Sequence, residues 1–360
     1  MRVLIAPDKF AGTLTAVEAA RAIAAGWRRH APGDELDLAP MADGGPGFVD
    51  VLHTALGGEL LAVSAAGPHG ERVPATVLRV GEVAYVETAQ VIGRHLIDGG
   101  AEFASTTGVG ELILAAVDGG ATTVVVGLGG SGTNDGGAGV LAALGATSDG
   151  VLETGAVGLH TVTRVDLAAA RARLAGVRLV AATDVDIPLT GLFGATKTFG
   201  PQKGIAEERI AEVDGWLEAF ATATDRRTSL EKGAGAAGGV GYALLVLGAS
   251  RERGIDVVTS AVSLAARARL ADLVVTGEGA FDFSSRAGKV PYGVAAIASD
   301  ALRPCIVLAG QVLVGSREMR ALGIESAYAV VDLVGEERAF AAPAEALSDL
   351  AARVARTWSR

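Results

Sequence analysis

The sequence predicts an α/β protein of two α/β domains: a Rossmann-like parallel-sheet domain made of both chain ends, and an inserted mixed α/β domain, with a cleft between them. Three observations predict it. Short β-branched runs alternate with alanine-rich helical stretches, the pattern of parallel strands joined by helical crossovers. From about Glu59 to Glu87 that alternation gives way to consecutive strand-like segments, which favour antiparallel pairing. The 360 residues also exceed the roughly 150 of one typical domain.

Taken in order, "RVLIA" is the first strand, and Thr15 opens a helix through the capping box "TAVE", which runs to about Arg29 before "APGD" stops it. "ELDLA" is the second strand. "ELLAVSA", "ERVPATVLRV" and "EVAYVET" then follow one another with only "GPHG" and "GE" between them. "ATTVVVGL", "VRLVAA", "ADLVVTG", "PCIVLAG" and "AYAVVDL" are strands separated by helical stretches. Alternation resumes after "AGKVPYG", which places the Rossmann-like domain at 1–58 plus 288–360 and the inserted domain at 59–287.

Composition narrows the function. Half the residues are hydrophobic and the mean hydropathy is +0.39, yet glycine dilutes the longest uncharged stretches, so no membrane span is expected. The apolar run of the N-terminus is too short for a secretory signal. A single cysteine, Cys305, allows no internal disulfide and fits a reducing cytoplasm. The net charge of -10 argues against a nucleic-acid or anionic-membrane surface, which needs clustered Lys and Arg. A small molecule is the expected partner. Of 31 basic residues only five are lysine, at positions 9, 197, 203, 232 and 289, and four of these stand in Gly- or Pro-punctuated stretches. A compact ammonium does there what a planar guanidinium cannot.

The chemistry gathers where strands end. "APDKF", "PMADGGPG", "GLGGSGTNDGG", "ATDVDIP" and "TGEGAFD" each follow a strand, the position at which open parallel sheets bind ligands. Gly127, Gly129 and Gly132 satisfy G-x-G-x-x-G, but the acidic residue a dinucleotide site wants about twenty positions on is supplied only by Asp149, in the turn-like "TSDGV". No Walker A sequence occurs. The five histidines show no metal spacing, and "GGSGT" around Ser131 is not a nucleophile elbow. What remains is a set of parts: bare amides in the glycine run, sparse lysines, and the post-strand carboxylates Asp43, Asp184, Asp186, Glu278 and Asp282. Phosphoryl transfer uses such parts, and Mg²⁺ takes one or two carboxylates together with substrate phosphates.

"PMADGG", "ETAQ", "GLGGSGTNDGGAG", "FGPQKG", "GAGAAGGVG" and "TGEGAFD" through "GKVPYGVA" together resemble the bacterial glycerate kinase family, in that family's order and over roughly residues 1–310. The resemblance implies an ATP-dependent, magnesium-requiring kinase of D-glycerate with 2-phosphoglycerate as product, acting as a monomer or homodimer. On it, Asp8, Lys9, Phe10, Asp43, Gly44, Gly45 and Ser284 are expected to bind the acceptor. Gly129, Gly130, Ser131, Thr133, Asn134, Asp135 and Gly136 are expected to hold the nucleotide phosphates. Asp184 is the expected base, Lys289 the charge-stabilising cation and Asp282 the metal ligand. The chain departs from the commoner pattern, which reads D-S-F-K-G and D-G-G-E-G where this one has "DKFAG" and "DGGPG", and Ser284 stands where many members have Gln. An NAD(P)-dependent oxidoreductase of small hydroxy acids and a non-catalytic metabolite-binding protein are the alternatives.

Overall fold

The computed structural model describes residues 1–282 and 290–359. The chain divides into two compact units, one formed by Met1–Asp43, Asp50–Leu56 and Ile255–Arg360, the other by Gly44–Val49 and Gly57–Gly254.

The first unit is built on a five-stranded, wholly parallel sheet in the order Ile324–Ala329, Cys305–Ala309, Leu273–Thr276, Arg2–Ile5, Glu35–Leu38. Its central strands are apolar without alternation, and Leu273–Thr276 and Cys305–Ala309 are buried throughout. A parallel sheet covered by helices on both faces demands that. The helix Ala16–His30 begins at the expected capping box, with the Glu18 amide donating to the Thr15 hydroxyl and the Thr15 amide to the Glu18 carboxylate. It packs on the C-terminal helix Pro343–Trp358. The sheet grows one way from Arg2–Ile5 to Glu35–Leu38 and the other way from Leu273–Thr276. The topological switch point therefore lies between Arg2–Ile5 and Leu273–Thr276.

The second unit carries a six-stranded mixed sheet in the order Ser250–Glu252, Arg178–Ala182, Thr123–Gly127, Val83–Glu87, Arg72–Val80, Glu59–Ala66. The last three strands form the expected antiparallel meander, and the others pair in parallel. Thr107–Asp118, Ala138–Ala143 and Val240–Val246 supply helical cover, and their apolar faces join the sheet in one core.

Two expectations are corrected. The inserted unit ends at Gly254 rather than at 287, because Leu273–Thr276 is the strand that joins Arg2–Ile5 to Cys305–Ala309. The strand expected at "AYAVVDL" runs instead from Ile324 to Ala329, and Val330–Val334 is helical. Its neighbour in the ladder ends at Ala309, opposite Ala329, so the valines beyond have no strand to pair with, and the Val331 amide turns to the Gly310 carbonyl. No described helix is long and apolar enough to cross a membrane. Cys305 is buried at the start of its strand, where burial pushes its thiol up to about 12.

Candidate active site

In the second unit the sequence blocks meet at the carboxyl ends of the parallel strands. The glycine run begins with the last residue of Thr123–Gly127. "DGGPG" lies against it: the Gly129 amide donates to the Gly44 carbonyl at 3.0 Å, and a Cβ at Gly129 would sit 2.4 Å from the Gly45 Cα. "ETAQ" fixes both. Glu87 is buried and accepts from the Gly47 and Val49 amides at 3.1 Å each, capping the helix Phe48–Leu56, while the Thr88 amide and hydroxyl donate to the Gly127 carbonyl.

That packing engages several amides of the expected phosphate cradle within the protein. Gly132 donates to Ile92 and Gly136 to Gly238, while Gly137 and Gly139 donate to the Asp135 carboxylate. Thr133, Asn134 and Asp135 are fully buried. Asp135 also accepts from the Thr106 amide and hydroxyl, so its carboxylate ties the starts of Thr107–Asp118 and Ala138–Ala143 together, and burial holds its pKa above the usual range. A buried carboxylate is stable only when so bonded. Most glycines of the run are in close packing, and the Gly129, Gly132, Gly136, Gly137 and Gly139 amides are committed within the protein.

Leu128, Gly129, Gly130 and Ser131 of the run line a cavity of about 290 Å³, whose wall also holds Arg94, Val185, Phe199, Gln202, Lys203 and Ala237. Gly130 is held at a φ of 74°, which glycine adopts without strain, and the Gly130 and Ser131 amides make no hydrogen bond among the described residues. The Lys203 ammonium donates to the Ser131 hydroxyl at 3.1 Å and to the Thr133 carbonyl at 2.7 Å. Burial pushes it down to about 7, against the pull of the Asp135 carboxylate and with the push of the Arg94 guanidinium. Arg94 is exposed and meets no carboxylate among the described residues. Two cations and the Ser131 hydroxyl thus line one small cavity whose wall is otherwise largely apolar.

Asp184, next to Val185 of that wall, pairs with Arg253 at 3.2 Å, and Asp186 pairs with Arg251 and with Lys232 at 3.6 Å. In the first unit the loop after Arg2–Ile5 sets Lys9 between two carboxylates, 3.5 Å from Asp8 and 3.9 Å from Asp43. Asp8 is buried, its amide donating to the Gly277 carbonyl. Burial pushes its carboxyl up to about 6, with Lys9 opposing. Phe10 is buried beside it, and Glu278 and Asp282 stand on the segment following Leu273–Thr276. Ser284 and Lys289 lie outside the described residues.

The sequence profile of the glycerate kinase family matches residues 3–359. The chain belongs to the glycerate kinase family. It is 39% identical to a Bacillus subtilis glycerate kinase over 92% of this chain and 90% of the relative, and 37% identical to an Escherichia coli glycerate 2-kinase over 93% and 92%. A Salmonella typhimurium LT2 chain solved as a candidate glycerate kinase 2 superposes with a TM-score of 0.83 at 37% identity, covering 99% of this chain and 98% of that one. Membership makes the protein a kinase and sets aside both the nicotinamide oxidoreductase and the non-catalytic binder.

Among the residues this family member brings to its cavity, Lys203 was signalled in the sequence as one of five lysines and as part of "FGPQKG". Arg94 was not: it is one arginine among 26, and only the fold brings it to Ser131, through the pairing of Gly93 with Ser131.

Proposed function

We propose that the protein transfers the γ-phosphoryl group of ATP to the 2-hydroxyl of D-glycerate, giving 2-phosphoglycerate and ADP in the cytoplasm. The observation that carries the reading is the cavity with Lys203, Arg94 and Ser131 on its wall, in a chain of this family. Its size and paired cations suit the carboxylate of a three-carbon hydroxy acid, and the Gly129, Gly132, Gly136, Gly137 and Gly139 amides, which a longer phosphate chain would need, are engaged internally. Glycerate therefore takes the place that sequence alone allotted to nucleotide phosphates.

In the transfer, the 2-hydroxyl oxygen forms a bond to the γ-phosphorus as the bond to the β,γ-bridging oxygen breaks, and the hydroxyl proton passes to a carboxylate. Asp184, adjoining the cavity wall at Val185 and oriented by Arg253, is the base in this reading. Lys289 supplies positive charge to the transferred group. Asp8, Lys9 and Asp43 form a mixed-charge cluster that faces phosphate oxygens with its ammonium. Glu278 and Asp282 offer the hard oxygen donors that suit Mg²⁺ shared with nucleotide phosphates. When bound, that ion neutralises phosphate charge.

A coupled assay with pure protein, Mg-ATP and D-glycerate tests this. Glycerate-dependent ADP formation is expected, and its absence in folded protein overturns the proposal. Phosphorus NMR of the product distinguishes 2- from 3-phosphoglycerate, and the latter as sole product overturns the regiochemistry.

A further inference from the structure

A second cavity, of about 190 Å³, opens within the first unit. Its wall is drawn from the loop after Arg2–Ile5 (Phe10, Thr13), the segment after Leu273–Thr276 (Gly279), the segment after Cys305–Ala309 (Gln311), and the helices Val330–Val334 and Glu336–Ala341 (Val331, Phe340). These are the carboxyl ends of the two strands that flank the switch point, together with their neighbour. Open parallel sheets bind ligands there.

The wall chemistry selects the ligand. It is mostly apolar and carries no lysine or arginine, so an anion such as glycerate would lose hydration there without gaining a cation. The volume lies below the ~300–1,000 Å³ of sites that enclose a whole drug-sized ligand, so it takes one part of a larger molecule. Phe340 is 61% exposed at its edge, an aromatic face left open to water. Gln311 uses its backbone amide on the Gly279 carbonyl, but its side-chain amide makes no hydrogen bond among the described residues. A carboxamide offers one donor and one acceptor side by side, the pair that reads the edge of adenine. Gly310 keeps the wall thin, since a Cβ there would lie 2.4 Å from the Gly279 carbonyl oxygen.

We propose that this cavity binds the adenine ring of the phosphoryl donor, with Phe340 against the ring face and Gln311 on its polar edge. The inference rests on the proposed use of ATP and adds the place and specificity of its base. Phe10 and Gly279 directly adjoin Lys9 and Glu278 in the chain, so the residues allotted to phosphate and metal continue from the cavity wall.

The test measures ADP, GDP and tripolyphosphate binding by calorimetry, alongside steady-state kinetics, in wild type, Phe340→Ser and Gln311→Leu. Unchanged circular dichroism and melting temperature in both variants establish their folding. Phe340→Ser is expected to weaken ADP about ten-fold, the scale of one lost base–aromatic stack, with tripolyphosphate affinity and the KM for glycerate unchanged. Gln311→Leu is expected to reduce the preference for ADP over GDP by about ten-fold. If wild type binds ADP and both folded variants bind it equally well, the cavity is not the base site, while nucleotide use stands. Parallel loss of tripolyphosphate binding also overturns the assignment. If wild type binds no adenine nucleotide and forms no ADP with glycerate, the proposed function fails and the cavity assignment with it.

Discussion

The Lys203 ammonium donates to the Ser131 hydroxyl at 3.1 Å from a site where burial has pushed its pKa down to about 7. The ammonium is therefore half-charged near neutral pH, and a bound oxyanion would restore its charge. Above pH 7 it loses its proton and its hold on an anion. The KM for glycerate should rise as pH increases from about 6 to about 9, and binding near pH 8 should take up a proton, seen as a buffer-dependent enthalpy. Lys203→Met should weaken glycerate at low pH and flatten the profile. The stability linkage runs with the same group: its folded pKa lies below the ordinary 10.5, so the unfolded state holds more protons across about pH 7 to 10.5. Wild-type stability should gain over that window relative to Lys203→Met. A KM profile identical in the two proteins would remove Lys203 from the site.

Arg94 tests which substrate the cavity takes. Its guanidinium is exposed, so Arg94→Met should fold normally. Loss of a charged hydrogen-bonding partner is worth about 1.5–3 kcal/mol, which predicts a KM for glycerate raised by about ten-fold or more with the KM for ATP unchanged. A rise in the KM for ATP alone would return the loop to the nucleotide.

The sequence was most legible where structure is local. The capping box at Thr15 and Glu18 and the apolar strands were read from a few residues each, because side-chain period and caps are decided within a turn or two. The second domain boundary was not, since Leu273–Thr276 belongs with a strand some 270 positions away, and nothing inside "ADLVVTG" says so. In sequence the glycine run reads as bare backbone. Its composition cannot reveal that the Gly136 amide meets Gly238 or that Asp135 takes those of Gly137 and Gly139. Seven glycines in thirteen residues permit a ligand to approach, but equally permit other backbone to do so, and here the backbone of Gly44, Gly45 and Gly238 does.

Asp8 gives a prediction of opposite sign to Lys203. Burial raises its carboxyl to about 6 from an ordinary 3.8, so the native state holds the proton more tightly. Any stabilisation is complete below about pH 4 and is lost as pH rises through 6. Asp8→Asn, which never ionises, should melt higher than wild type at pH 8 in metal-free buffer, with the gap closing below pH 4. Activity should fall, because a buried carboxylate retained at such a cost marks a functional position. Equal melting curves at pH 8 would show that Lys9 fully compensates the charge.

Asp135 separates structure from chemistry within the glycine run. Its carboxylate accepts from the Thr106 amide and hydroxyl at 2.9 and 2.8 Å and from the Gly137 and Gly139 amides at 2.9 and 3.2 Å, and its side chain is closed off from solvent. Asp135→Ala strands several buried donors at once, and each unsatisfied group costs about 1–3 kcal/mol. The variant should lose at least that much stability by urea unfolding, with early loss of the helices that begin near Thr106 and Gly137. Asp135→Asn keeps one acceptor oxygen but turns an amide nitrogen toward N–H donors, so it should fall between wild type and Asp135→Ala. Where Asn folds, its KM for ATP should match wild type, since the side chain is buried and its oxygens are engaged within the protein. A nucleotide contact would give the reverse, a raised KM for ATP with stability intact, and that result would place Asp135 at the nucleotide.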